Sequence, residues 1–108
     1  MVHIMATAWW PSHPAKGAEI AKKAYDAAKK FPPDESLVTL LVQGFVGDKI
    51  GTKSIAIWSV KEGKLEEALN RISDSLRFYE EVEGFTSKID LMTTVEEAWA
   101  TVGMKPPE

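Results

Sequence analysis

The sequence predicts a single α+β domain with the element order βαββαβ and a short helix at its end. Three observations carry this reading. Four short runs are rich in β-formers, two longer stretches repeat their apolar residues every three or four positions, and proline or glycine stands at most junctions between them. The 108 residues suit one domain with one core. That domain is expected to span residues 1–103, leaving 104–108 as a C-terminal tail around Pro106-Pro107.

The first run, Val2 to Trp10, is apolar on both parities. Val2, Ile4, Ala6, Ala8 and Trp10 face one way; His3, Met5, Thr7 and Trp9 face the other. A strand covered on both faces reads like this, and Pro11 ends it. Pro14 suits the first turn of a helix, with Ser12 or His13 near the cap. That helix runs from about Ala15 to Lys30. Its inward stripe is Gly17, Ala21, Ala24, Ala28 and Phe31, and Pro32-Pro33 stops it.

Leu37 to Val46 and Lys53 to Val60 form the second and third strands. Gly47-Asp48 and Gly51 supply turn chemistry between them, so the pair is a hairpin. The second helix is expected from about Lys64 to Glu83, burying Leu65, Leu69, Ile72, Leu76 and Tyr79 before Gly84. Glu80, Glu81 and Glu83 crowd its negative end, which requires a compensating cation nearby. Phe85 to Met92 is the fourth strand, with Phe85, Ser87, Ile89 and Leu91 on one face and Thr86, Lys88, Asp90 and Met92 on the other. Thr94 to Glu97 has the capping-box pattern for a last helix ending near Gly103.

Two right-handed crossovers joined by a hairpin place the four strands in one antiparallel sheet, in the order 4-1-3-2. Both helices then lie on the same face. Their charges complement each other, with net +3 over residues 15–31 and net −4 over residues 62–83. The other face is expected to carry Met5, Trp9, Leu41, Phe45, Trp58 and Val60, mixed with His3, Thr7, Thr39, Gln43, Lys88 and Asp90. So apolar a face calls for a cover, and a second copy packed sheet to sheet is the simplest one.

In element order, element lengths, the Gly84-Phe85 step and this apolar second face, Val2 to Met92 resembles the dimeric α/β-barrel superfamily. The resemblance implies a ferredoxin-like protomer and a homodimer closed through the sheet face. Cofactor-free and haem-degrading monooxygenases, lactone isomerases, stress-response proteins and ligand-sensing domains share that architecture, and the fold alone does not choose among them.

Composition narrows the classes. A net charge of −3 disfavours nucleic acid, whose binders need a basic excess. No basic amphipathic helix marks a membrane surface, and no apolar run approaches a spanning length. With no cysteine there is no disulfide, thiolate metal site or cysteine nucleophile. Neither histidine has metal-site spacing. No basic leader is seen, and a cytoplasmic protein without metal or organic cofactor is expected.

Few residues could carry chemistry. His3 faces the uncovered side of the sheet and is the general-base candidate. Asp90 on the neighbouring fourth strand is its possible acid partner. Trp9 and Trp58 can share a face as an aromatic wall, so the ligand-binding candidates are Trp9, Trp58, His3 and Asp90. Trp10 is expected in the core, Trp99 as the anchor of the last helix, and Tyr25 and Tyr79 as packing residues. Val42-Gln43-Gly44-Phe45 is similar to a fragment of the acylphosphatase signature, but it falls inside a strand with no nearby arginine. The leading expectation is a small dimeric barrel protein that binds an apolar or aromatic molecule between sheet and helices. Monooxygenase or isomerase chemistry is the enzymatic form of that reading. The alternatives are a non-enzymatic dimerisation or stress-response module with a filled sheet interface, and a regulator's sensing domain.

Overall fold

The computed structural model describes residues 2–47, 51–105 and 107. The element order is β1 (His3–Trp10), α1 (Pro14–Lys30), β2 (Val38–Gly47), β3 (Thr52–Val60), α2 (Leu65–Arg77), β4 (Thr86–Met92) and α3 (Val95–Thr101). The four strands form one antiparallel sheet in the order β2-β3-β1-β4, the order expected from two crossovers and a hairpin. This is the ferredoxin-like arrangement. Of the turn residues between β2 and β3, Asp48 lies outside the described residues.

Local chemistry sets the helix ends. Nδ1 of His13 accepts the Ala15 N–H at 3.1 Å and Pro14 occupies the first turn, where its missing N–H is no loss. α3 opens with a complete capping box. Thr94 Oγ1 accepts the Glu97 N–H at 3.1 Å, and Glu97 Oε1 receives the Thr94 N–H at 3.3 Å and hydroxyl at 2.9 Å.

α2 stops at Arg77, six residues before the end expected from its periodicity. Tighter turns follow, closed by Tyr79 N–H to Leu76 O, Glu80 N–H to Arg77 O, Val82 N–H to Tyr79 O and Phe85 N–H to Val82 O. They turn Val82 inward to 2 % exposure, so tertiary burial overrides helix propensity here. Glu81 and Glu83 therefore project from a turn beside α1. Lys23 meets Glu81 at 2.7 Å and Lys16 meets Glu83 at 3.9 Å. The Lys23 hydrogen bond and charge hold the Glu81 carboxyl below the usual carboxylate range. The required cations thus come from α1.

Strand register assigns the faces, because directly paired residues share one. Ile4 pairs with Trp58 and Leu91, Ala6 with Ala56 and Ile89, and Ala8 with Ser54 and Ser87. This set faces the helices. The open face carries His3, Met5, Thr7 and Trp9, opposite Ser59, Ile57, Ile55 and Lys53 on β3, and opposite Met92, Asp90, Lys88 and Thr86 on β4.

Trp58 and Val60 therefore belong to the helix side, not to the open face expected for them. β3 is apolar at 55, 56, 57, 58 and 60, so its pattern left its parity undetermined, and a one-residue shift exchanges the faces. A bulge between Leu40 and Val42 does the same within β2. Beyond it Phe45 pairs with Ser54 and Gln43 with Ala56, placing both on the helix side, while Val42 and Val46 take the open face.

Two apolar clusters lie beneath the helices. Ile4, Ala6 and Val60 pack with Ala68 and Ile72 of α2. Ala8 and Trp10 pack with Ile20 of α1 and with Val82. Only Ile20 and Ala27 of α1 are buried, so this helix touches the sheet lightly. The molecule is correspondingly extended. Its radius of gyration is 15.8 Å, against about 13 Å for a compact chain of this length.

Two glycines separate backbone demand from free space. Gly51 has φ +156°, and a Cβ there would lie 2.1 Å from the Trp10 carbonyl oxygen. At Gly17, within α1, an added Cβ meets nothing within 4 Å. Gly51→Ala is expected to lower stability by about 2–3 kcal/mol. Gly17→Ala should raise it by about 1 kcal/mol through helix propensity. Opposite shifts in the urea midpoint check both.

Candidate functional site

A cavity of about 420 Å³ lies between the sheet and the two main helices and opens to solvent. Its size falls in the range of small-molecule sites, about 300–1,000 Å³. It exists because both walls are built from small residues. Ala6, Ala8 and Ala56 form much of the floor from β1 and β3, and Gly17, Ala21 and Ala24, with Ile20, form the α1 side. The larger side chains on these walls, Ile20 and Trp58, leave the gap unfilled.

Aromatic rings close the ends. Trp10 packs parallel to Phe85 with centroids 6.5 Å apart, and Phe85 stacks on Tyr79 at 5.3 Å. Phe45 meets Trp10 edge-on at 6.0 Å and is itself 68 % exposed, standing at the rim. Trp58 lines the floor beside Ala56. Offset and edge-on pairs of this kind are the favoured aromatic geometries, and the rings give the cavity flat apolar walls.

The polar groups are few and neutral. Gln43, Thr52 and Ser54 enter from the sheet, and Ser75 and Tyr79 from the α2 side. Among the described lining residues none carries a formal charge. Tyr79 is the one titratable side chain among them, and burial raises its phenol above the ordinary tyrosine value. The group is therefore a neutral hydroxyl near pH 7, able to donate and accept. Among the described residues no group of three histidine or acidic side chains converges to hold a metal.

The residues singled out from the sequence are divided between the two faces. Trp58 lines the cavity, and Trp9 does not, since Trp9 pairs with Lys53 on the open face. The two cannot form one wall. His3 and Asp90 are both on the open face, but they do not form a pair. Asp90 lies opposite Met5 and approaches Lys88 at 3.5 Å. The carboxylate near His3 belongs to Glu97 of α3, 3.6 Å from Nδ1. That nitrogen is buried and has no hydrogen-bond partner among the described residues. Thr94 hydrogen bonding holds the Glu97 carboxyl below its ordinary range.

Trp10 and Tyr79, read from the sequence as packing residues, instead pack and line the cavity together, and Phe85 and Gln43 join them. A signal was present. Gly17, Ala21 and Ala24 of α1, with Ile20 as the one larger residue among them, face alternating alanines in β1. Small residues on both sides leave space where the helix touches the sheet as lightly as α1 does.

No known protein-family profile matches the sequence, and no curated protein matches it. Solved structures do. A candidate antibiotic biosynthesis monooxygenase from Deinococcus radiodurans superposes with a TM-score of 0.55 at 13% identity, covering 89% of this chain and 94% of its own. A second such protein, from Caulobacter crescentus, gives 0.54 at 20% identity, covering 87% and 91%. Protein Atu4242 from Agrobacterium tumefaciens gives 0.53 at 16% identity, covering 88% and 94%. The likeness establishes the fold. The ferredoxin-like fold expected from the sequence is the one these structures share, and they select no family. Among the described residues no helix is long and apolar enough to cross a membrane.

Tyr79 gives this site a spectroscopic handle. The ultraviolet titration of the protein should contain a tyrosinate step above the ordinary phenol value, and Tyr79→Phe should remove it. Persistence of that step in the variant would place the buried phenol elsewhere.

Proposed function

We propose that the protein is a homodimer in which each helix–sheet cavity binds one small, uncharged, apolar or aromatic molecule. The aromatic-walled, charge-free cavity is the observation that carries this reading. Burying a charged ligand there would leave its charge unpaired, at a cost of several kcal/mol. A flat neutral molecule meets ring faces and can hydrogen bond to Gln43, Ser54, Ser75 or Tyr79.

Monooxygenase-like chemistry is the enzymatic form that fits best, because candidate monooxygenases share the fold. Within the cavity the group suited to orient a phenol or carbonyl is the neutral Tyr79 hydroxyl. The general-base role considered for His3 does not fit a ligand there, because β1 itself lies between His3 and the cavity. We assign His3 and Glu97 to the seating of α3 on the open face.

The dimer is supported by area. The chain exposes 7414 Å², about 1,400 Å² more than the general relation for a monomer of 12.0 kDa. A standard interface removes about 800 Å² from each partner. The open face of β1 and β3 offers Met5, Trp9, Ile55 and Ile57 for the purpose. A filled sheet interface and a ligand cavity therefore occupy opposite faces and do not compete. A cytoplasmic location belongs to the same reading.

A panel of neutral aromatic compounds is expected to include members that raise the melting temperature and change tryptophan fluorescence, with carboxylated analogues at least tenfold weaker. Gly17→Leu, which fills the cavity from α1, should weaken binding at least tenfold, about 1.4 kcal/mol, without lowering the melting temperature. A panel with no binder, or binding indifferent to Gly17→Leu, overturns the cavity assignment. Sedimentation equilibrium at micromolar concentration is expected to show a dimer, and a single copy overturns that part.

A further inference from the structure

Resting on the homodimer reading above, we infer that α3 and the residues just after it are part of the interface, packing on the start of β2 of the second copy. Two such contacts, related by the two-fold, would flank the stacked sheets.

The first observation concerns α3. Its ends are both fixed by local sequence. The capping box at Thr94 starts it, and Gly103 at φ +76° ends it, with the Gly103 N–H donating to Ala100 O and the Met104 N–H to Trp99 O. Yet none of its seven residues is buried, and Val95, Val102 and Met104 are 59–69 % exposed. Isolated helices shorter than about 12–15 residues do not hold together in water. Its own protomer half-buries Glu97 and Trp99 and leaves Val95, Val102 and Met104 uncovered, so the apolar side of this short helix has room for a partner.

The second observation is β2. It is an edge strand, and Leu40, Leu41, Val42, Phe45 and Val46 are all about half exposed or more. Apolar edges are otherwise blunted with charge, proline or a bulge; β2 has the bulge between Leu40 and Val42 but no charge or proline from Val38 to Gly47. A partner lying flat on the open face would reach Val42 and Val46 and leave the edge itself uncovered.

Topology brings the two together. β2 and β4 are the opposite edges of the sheet, and α3 follows β4. Glu97 approaches His3 on the open face, at the end of the sheet where His3, Ser59 and Thr39 lie level. A two-fold axis running along the strands places β4 of one copy over β2 of the other and keeps the strand ends level. α3 then arrives at the partner's Thr39–Val42 stretch. An axis across the strands sets β2 over β2 and leaves α3 bare. The surplus surface of about 1,400 Å² exceeds the about 800 Å² of a standard partner, enough for the sheet face and both flanking contacts.

Because the chain has no cysteine, single thiols report the arrangement directly. Chains with Leu41→Cys and chains with Val102→Cys, carrying different tags, are co-expressed and treated with a short bismaleimide. Sedimentation is run on the same samples. The expected result is a sedimenting dimer and a covalent mixed pair joined through residues 41 and 102, with Leu41→Cys alone giving no covalent dimer. A sedimenting dimer without the mixed pair, or Leu41→Cys joining to itself, overturns this inference and leaves the homodimer standing. A sedimenting monomer overturns the homodimer and the inference with it. In the cysteine-free chain, Val95→Asp with Val102→Asp should raise the dimer dissociation constant at least tenfold, and an unchanged constant also overturns the inference.

Discussion

Two helices cover one face of a four-stranded sheet, and everything distinctive about this protein follows from how incompletely they do so. α2 packs well, through Ala68 and Ile72 on Ile4, Ala6 and Val60. α1 is held by Ile20, by the buried Ala27 and by Phe31 against Phe78, with exposed ion pairs from Lys16 and Lys23 to the turn after α2 adding little. Apart from Ile20, the α1 residues that face the strands are glycine and alanine and meet alanines there, so a gap remains where larger side chains would have made a core. The unfilled space is the candidate site, and the uncovered face is the surface proposed for a second copy.

That division clarifies two readings that looked like rivals. If the ligand space lay on the open face, a partner filling that face would exclude it. The cavity lies on the helix side instead, beneath Trp10 and Trp58. Dimerisation can be dry and complete while the cavity stays open to solvent past Phe45.

Most of the fold was legible because its signals were local and mutually consistent. Pro11, Pro32-Pro33 and the Thr94–Glu97 pair marked boundaries, and the two helical stripes with an intervening hairpin left one plausible sheet order. The faces of β1 and β4 were also readable from parity alone. β2 and β3 were not. Val and Ile on both parities of β3 hid its register, and the Leu40/Val42 bulge reverses the alternation of β2 without any residue that announces it. Those two strands carry Trp58, Gln43 and Phe45, so the site was misassembled from sequence for the same reason. Trp9 was matched with the wrong neighbour, and Asp90 was paired with a histidine that Glu97 approaches. The end of α2 was hidden differently: Tyr79 continued the helical stripe, but the burial of Val82 rewarded a turn.

The claim on which the rest depends is that the open face and the β2 edge are covered in solution. Amide hydrogen exchange followed by mass spectrometry tests it most directly, on peptides spanning β2 and α3, at protein concentrations above and below the dimer dissociation constant. The account predicts protection in both elements approaching that of β1 when concentrated, falling together on dilution while β1 stays protected. Rapid exchange in β2 and α3 that is the same at every concentration would contradict it.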